Sequence, residues 1–250
     1  MRPTDGADRV VRVLELLGTS PTPLSVGDVA RSLDVHASTA SRLLATLAAT
    51  RFVERDAGSS GYRLGARIVG LAAATVALMP VVSQARPELE HLSAVTSETV
   101  NLAILDGLHV VYVDQVTPAH TVVMASWVGR RSPAHASSSG KVLVAFGDPR
   151  TRQAVLSGKL DRLTPRTVTE PMRLAAVFDR VRREGYALGI GELEDGLVTM
   201  AAPVLVDGRA VAAVSLSGPS YRLPERDLSQ LSRVLIDAAS AASHRMAGRR

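Results

Sequence analysis

Apolar positions recur with a helical period through the first fifty residues and with a strand-like period through much of the remainder. Val10, Val13, Leu14 and Leu17 share one face of a helix over about residues 8–17, which the Gly/Pro-containing stretch 18–23 terminates. Ser25, with Asp28 three positions on, forms a capping-box-like start. Behind it Val26, Val29, Ala30 and Leu33 recur at i, i+3, i+4 and i+7. A tight turn through Asp34 and Val35 leads to a helix over about 37–49, with Ala40, Leu43, Leu44 and Leu47 facing inward. Two short β-like segments, 52–55 and 62–64, flank a flexible tip at 56–61. Three helices followed by a hairpin make the layout of a winged helix-turn-helix.

An Ala-rich helix over about 66–79 leads out of this module, and Pro80 marks a hinge. No charge falls between Arg67 and Arg86, so the stretch has to be weighed as a membrane span. Spanning takes ~20 predominantly apolar residues. Pro80, Ser83 and Gln84 cut the run short, and Gly70, Ala72, Ala73 and Ala74 keep it weakly hydrophobic, which favours a helix packed against protein. Beyond it an amphipathic helix through Leu89, Leu92 and Val95 precedes β-type runs at 99–105, 110–116 and 121–127. Helical patterns lie around 141–146 and 173–184, β runs at 198–206 and 210–217 flank Asp207-Gly208, and a last helix runs from Leu223 towards His244. Antiparallel hairpins bracketed by helices predict an α+β, sensor-like domain rather than a parallel nucleotide-binding sheet.

Composition narrows the chemistry. Aromatics are 3% of the 250 residues, so the core has to be built from Ala, Val and Leu. The net charge of +5 suits an anionic partner and is carried almost wholly by Arg, the lysines being Lys141 and Lys159. Residues 1–80 hold nine Arg against seven acidic residues, a net of +2, so charge adds little to a case for DNA binding there. The absence of cysteine excludes disulfides, thiol catalysis and Cys-ligated zinc. The opening MRPTDGADRV has no apolar run of the signal-peptide kind, and the chain is expected in the cytoplasm, with no membrane partner.

On the 37–49 helix, Ser38, Arg42, Ala45 and Ala49 point away from the core, with Ser41 and Thr46 on the flanks. Small side chains let such a helix lie deep in the major groove, where hydroxyls bond phosphate or bases and Arg bonds guanine. The hairpin places Arg55 and Arg63 to reach phosphates. The same pattern also reads as a small core with a solvated face, or as a module that docks another protein.

The string 33–47, LDVHASTASRLLATL, followed by GYRLG at 61–65, resembles the IclR family of bacterial transcriptional regulators. The likeness continues through PAHASSSGK at 133–141, through Gly185-Tyr186, Glu192, Gly196 and the MAAPV of 200–204, and through SLSGP at 215–219. The matches occur in order over roughly residues 8–245. The chain departs from the family pattern at His36, where many members carry Lys; at Ala40, where Val is usual; and at Arg51-Phe52, where Gly and an apolar residue are typical. His36 and Arg51 are where operator preference is expected to differ.

The resemblance implies an α+β fold in three parts. These are a winged helix-turn-helix DNA-binding domain over 1–65, a linker helix over 66–80, and an effector-binding and oligomerisation domain over 81–250. The last is expected to be a GAF-like α/β domain with an antiparallel sheet. It implies a DNA-contacting set of Ser25, His36, Ser38, Thr39, Ser41, Arg42 and Thr46, joined by Arg55 and Arg63. It implies an effector pocket lined by Met124, Ser132, Ser138, Ser139, Gly189, Leu197, Thr199, Ser215 and Ser217, with Gly189 standing where some members carry an acid. Small polar residues in an apolar cavity suit a small organic acid or aromatic metabolite. The implied partners are a palindromic double-stranded operator, the effector, and further copies of the chain as homodimer or homotetramer. Gly70 and Ala74 would allow close approach of paired linker helices. No cofactor or metal is expected, since the six histidines show no ligand spacing. The rival from another class is an enzyme: Ser138-Ser139-Gly140-Lys141 has the Ser-x-x-Lys spacing of serine acyl-transfer enzymes, although their partner motifs are missing. The segment is not a phosphate-binding Walker loop, because His135 and Val142 occupy required Gly and Ser/Thr positions.

Overall fold

The computed structural model describes residues 5–118 and 126–248. The chain divides into two compact units, Met1–Leu78 and Met79–Arg250.

The first unit holds α1 (Asp5–Thr19), α2 (Val26–Leu33), α3 (Ala37–Ala49), the hairpin β1 (Val53–Arg55) and β2 (Tyr62–Leu64), and α4 (Ala66–Ala77). The apolar stripes converge on one core that includes Val13, Leu17, Val29, Leu33, Ala40, Leu44, Leu47, Val53 and Tyr62. Leu43, expected inside, lies at the rim of the stripe and is half-buried. Ser25 opens α2 with a reciprocal capping box: its hydroxyl accepts the Asp28 N–H while the Asp28 carboxylate accepts the Ser25 N–H. Asp34 ends α2 in the left-handed region at φ 54°, which sets the tight turn into α3. The hairpin pairs Val53 with Leu64, Glu54 with Arg63 and Arg55 with Tyr62, and Leu24 makes an isolated antiparallel bridge to Tyr62.

Arg51 follows α3 at φ 60°. A left-handed Arg is strained by ~1–2 kcal/mol, and this is where the sequence pattern of the family favours Gly. The Arg51 carbonyl lies 2.4 Å from where a Cβ on Gly65 would stand, so the glycine at 65 is required by that close approach. Arg51→Gly is expected to stabilise the unit by roughly 0.5–1 kcal/mol, because the relieved strain exceeds the entropic cost of a glycine. A raised thermal midpoint checks this, and a lowered one would place the strain elsewhere.

The second unit is a three-layer arrangement around a six-stranded antiparallel sheet in the order β5-β4-β3-β8-β7-β6. The strands are β3 (Thr99–Asp106), β4 (His109–Val116), β5 (Arg131–Pro133), β6 (Ala187–Ile190), β7 (Leu197–Val206) and β8 (Arg209–Pro219). Helices α5 (Pro80–Thr96) and α9 (Glu225–Ala247) cover one face; α6 (Ser138–Ala145) covers the other, with α7 (Pro149–Ser157) and α8 (Pro171–Glu184) packed beyond it. Strand alternation sorts the side chains. Val100, Leu102, Met200, Val214 and Leu216 join the core beneath α5 and α9. Ala103, Leu197, Ala201 and Ala213 face α6, with the polar Asn101 and Ser215 in the same rows. Asp207 and Gly208, at φ 50° and 74°, make the primed two-residue turn that joins β7 to β8.

Several expectations shift. The helix expected from 141 begins at Ser138, so Ser138 and Ser139 lie within its first turn and Ser137 caps it, its hydroxyl accepting the Gly140 N–H. The strand expected at 121–127 falls mostly outside the described residues; Ser126 and Trp127 are not in a strand. Helix α7 and strands β5 and β6 had no apolar pattern long enough to announce them: α7 buries only Val155, and the strands span three and four residues. Among the described residues no single helix is long and apolar enough to cross a membrane.

Candidate functional site

In the first unit, α3 turns Ala40, Leu44 and Leu47 inward and leaves His36, Ser38, Ser41, Arg42 and Thr46 exposed, with Thr39 half-buried. His36 is the N-cap; its Nδ1 accepts the Ser38 N–H at 3.3 Å and lies 2.9 Å from the Ser38 hydroxyl. The imidazole thereby occupies a donor that an anion would otherwise find at this helix start. The Thr46 hydroxyl donates back to the Arg42 carbonyl at 2.9 Å. No ion pair holds the Arg42 guanidinium among the described residues, so it is free to find one outside.

The other residues implied by the resemblance are less free. Ser25 donates its hydroxyl to Asp28 at 2.6 Å, and that hydrogen bond is the leading cause that holds the Asp28 carboxyl below its usual range. A carboxylate at the start of α2 disfavours a phosphate there. Arg63 pairs with Glu54 at 2.9 Å and reaches Asp56 at 3.8 Å. Arg55 donates to the Tyr62 hydroxyl at 3.0 Å and stacks over its ring.

In the second unit the sheet face beneath α6 carries a polar floor. Cross-strand pairing sets Gly189, Thr199, Ser217 and Thr99 in one row, and Ala187, Ala201, Ser215 and Asn101 in the next. Asn101 Nδ2 donates to the Ser217 hydroxyl at 3.3 Å. The α6 end closes over this face because Gly140 lies against Ala134: a Cβ at 140 would stand 2.3 Å from the Ala134 carbonyl oxygen. Ser137, Ser138 and Ser139 are all buried as a result. At the β4–β5 side the Tyr112 hydroxyl lies near Ser139 and Ser132, whose hydroxyls favour its ionised form, but burial outweighs them and pushes its pKa up to about 12. Trp127 meets Tyr112 edge-on at 5.3 Å, and Arg130 stacks on the indole at 4.6 Å.

The far end of the floor is held by an ion pair. Lys141, at 1% exposure the largest fully buried side chain, bonds Glu192 Oε1. Burial is the leading cause that lowers the Lys141 pKa, and the Glu192 charge opposes it. The Glu192 turn is fixed from behind: the Thr164 hydroxyl donates to the Gly191 carbonyl at 2.6 Å and the Thr167 hydroxyl to the Glu192 carbonyl at 2.7 Å. A Cβ on Gly189 would stand 2.9 Å from the Thr199 hydroxyl and 3.9 Å from Glu192 Oε1, so Gly189 opens the space that joins the floor to this pair.

The structure therefore brings Ser132, Ser138, Ser139, Gly189, Leu197, Thr199, Ser215 and Ser217 to one face of one domain; Met124 lies outside the described residues. Sequence reading missed Asn101, Tyr112 and Trp127. Their signal was present in part, as polar or aromatic residues in or beside otherwise aliphatic runs. It also missed the Lys141–Glu192 pair, although both residues belong to the segments that resembled the family.

Comparison with known proteins agrees across both units. The IclR helix-turn-helix domain matches residues 6–57, and the C-terminal domain of the bacterial transcriptional regulator IclR matches residues 73–244. The chain is 35% identical over 245 residues to the HTH-type transcriptional regulator BhcR of Paracoccus denitrificans, covering 97% of this chain and 88% of that protein. It superposes on the crystal structure of a transcriptional regulator from Rhodococcus sp. RHA1 with a TM-score of 0.83 at 31% identity, over 99% of this chain and 100% of that one. It superposes likewise on an IclR homolog from Microbacterium hydrocarbonoxydans, solved with 4-hydroxybenzoate, with a TM-score of 0.82 at 28% identity, over 98% and 100% of the two chains. Two matched domains in sequence order, and relatives that align almost end to end, establish that this chain belongs to the IclR family of bacterial transcriptional regulators.

Proposed function

We propose that the chain is a cytoplasmic, dimeric operator-binding regulator that reads a palindromic site through α3 and changes its DNA affinity when a small organic acid occupies the polar floor beneath α6. The observation that carries the DNA-reading assignment is the free Arg42 guanidinium amid small exposed hydroxyl residues on α3. Of the residues implied by the resemblance, Ser38, Ser41, Arg42 and Thr46 are the direct contacts in this reading. Ser25, Arg55 and Arg63, each already bonded within the module, contribute positioning at most. A single helix makes few base contacts, so two half-sites and two copies are required.

The pairing element in this reading is α4. None of its residues is buried, and Val69 and Leu71 stand 70% and 50% exposed. Covering such side chains contributes about 1.5–3 kcal/mol each. Val69→Asp is expected to shift the chain towards monomer in sedimentation and to weaken operator binding with it. A dimer that survives the substitution would move the interface elsewhere.

The small-acid reading draws on the bound 4-hydroxybenzoate of the Microbacterium homolog and on two backbone donors at the start of α6, the N–H groups of Ser138 and Ser139, which have no hydrogen-bond partner among the described residues. The acyl-transfer alternative is disfavoured because Lys141 is committed to Glu192 rather than to Ser138. The function is tested by incubating the protein with sheared genomic DNA across a salt series, with and without small organic acids, and sequencing what is retained. Enrichment of palindromic sites with an affinity that falls steeply with salt supports the reading. Retention with no sequence preference, in the presence or absence of acids, would overturn it.

A further inference from the structure

Among the described residues, three buried side-chain polar atoms have no hydrogen-bond partner: Asn101 Oδ1, Trp127 Nε1 and Glu192 Oε2. Buried polar groups are otherwise almost always satisfied, so each such atom calls for a partner from outside the chain. All three belong to the second unit and all three border the polar floor. Asn101 lies opposite Ser215 and bonds Ser217. Trp127 packs on Tyr112, and its backbone N–H donates to Gln115, the cross-strand neighbour of Asn101. The Glu192 carboxylate stands by Gly189 at the far end.

The unmet atoms specify their complement. The indole N–H requires an acceptor; the amide oxygen and the carboxylate oxygen require donors. A plain carboxylate or a keto acid brings acceptors only and leaves Asn101 Oδ1 bare. A hydroxyl both donates and accepts, so it also completes the Asn101 amide if the amide is turned the other way round. Positive charge for an acid comes from Arg130, stacked on Trp127 without an ion-pair partner among the described residues. We infer that the effector is a small hydroxy acid, its hydroxyl hydrogen-bonded to Asn101 and its carboxylate received by the Trp127 indole and the free N–H groups of Ser138 and Ser139. The inference rests on the effector-binding reading of this site and adds the chemical class of the ligand and two residues that select it.

Trp127 is the one tryptophan of the chain, so its fluorescence reports occupancy at the site itself. The probes are two matched pairs, 4-hydroxybenzoate against benzoate and lactate against propionate, with pyruvate and glyoxylate as keto acids. A hydroxy acid is expected to shift the Trp127 emission and to bind at least fivefold more tightly than its partner lacking the hydroxyl, because that partner leaves Asn101 unpaired. In Asn101→Leu the ratio within that pair is expected to fall to about one. If that variant lacks a cooperative melt, Ser217→Ala, which releases the amide from its one partner, is expected to narrow the ratio instead. Equal binding of both members, or tighter binding of a keto acid, overturns the hydroxy-acid assignment and leaves the effector site standing. Failure of every probe to shift Trp127 overturns the effector reading together with it.

Discussion

Arg42→Ala is expected to weaken operator binding by roughly 30-fold or more while leaving binding at the polar floor unchanged. Each two-pronged Arg–guanine contact is worth about 1–3 kcal/mol of discrimination, and a dimer on two half-sites loses two. The expectation is specific because Arg42 stands exposed on the outer face of α3, whereas the other arginines of the module differ in how they are held. Arg63 already pairs with Glu54 and Asp56 and Arg55 bonds and stacks on Tyr62. Arg63→Ala is therefore expected to change affinity by less than about threefold, in keeping with the small worth of exposed ion pairs. Fluorescence anisotropy on a labelled operator separates the two variants. Equal losses from Arg42→Ala and Arg63→Ala would mean that binding is general charge attraction rather than base reading, and a parallel loss of the Trp127 response would deny the separation of roles between the units.

The winged module was legible because each element is encoded locally. Ser25 and Asp28 sit within one capping box, the α3 stripe runs at helical spacing, and the Phe52–Leu64 stretch alternates around a Gly/Ser tip. Asp207-Gly208 is legible for the same reason, since the primed turn demands left-handed residues in sequence. What stayed hidden depends on distance along the chain. Lys141 and Glu192 are 51 positions apart, Asn101 and Ser217 are 116 apart, and nothing in either local pattern tells which strand will lie next to which. Asn101 in particular reads as a defect in an aliphatic strand until β8 is set beside it. Arg51 is an intermediate case: the departure from a glycine pattern was visible, but its cost appears only with its φ of 60°.

Lys141→Met is expected to destabilise the second unit by about 3–5 kcal/mol, since it strands the Glu192 carboxylate in the interior without its counter-charge. Glu192→Gln is expected to cost less, and the asymmetry follows from the titration of the lysine. Burial already lowers the Lys141 pKa, and the neighbouring Glu192 charge is what holds it up. Without that charge the buried amine releases its proton more readily and escapes the desolvation penalty as a neutral group. The pH dependence has a definite sign. While Lys141 is protonated in both proteins and Glu192 is ionised, the full deficit of Glu192→Gln is present; as pH rises further the variant's amine, which lacks the Glu192 charge that holds the wild-type pKa up, loses its proton first and the deficit shrinks. Lys141→Met has no amine to titrate, so raising the pH brings it no such relief. The double variant Lys141→Met/Glu192→Leu fills the same space with apolar groups and is expected to recover most of the lost stability. Denaturant unfolding followed at Trp127, which lies in this domain, measures all three. A Glu192→Gln deficit that grows with pH, or a double variant no more stable than Lys141→Met alone, would show that the pair does not hold this end of the floor by its charge.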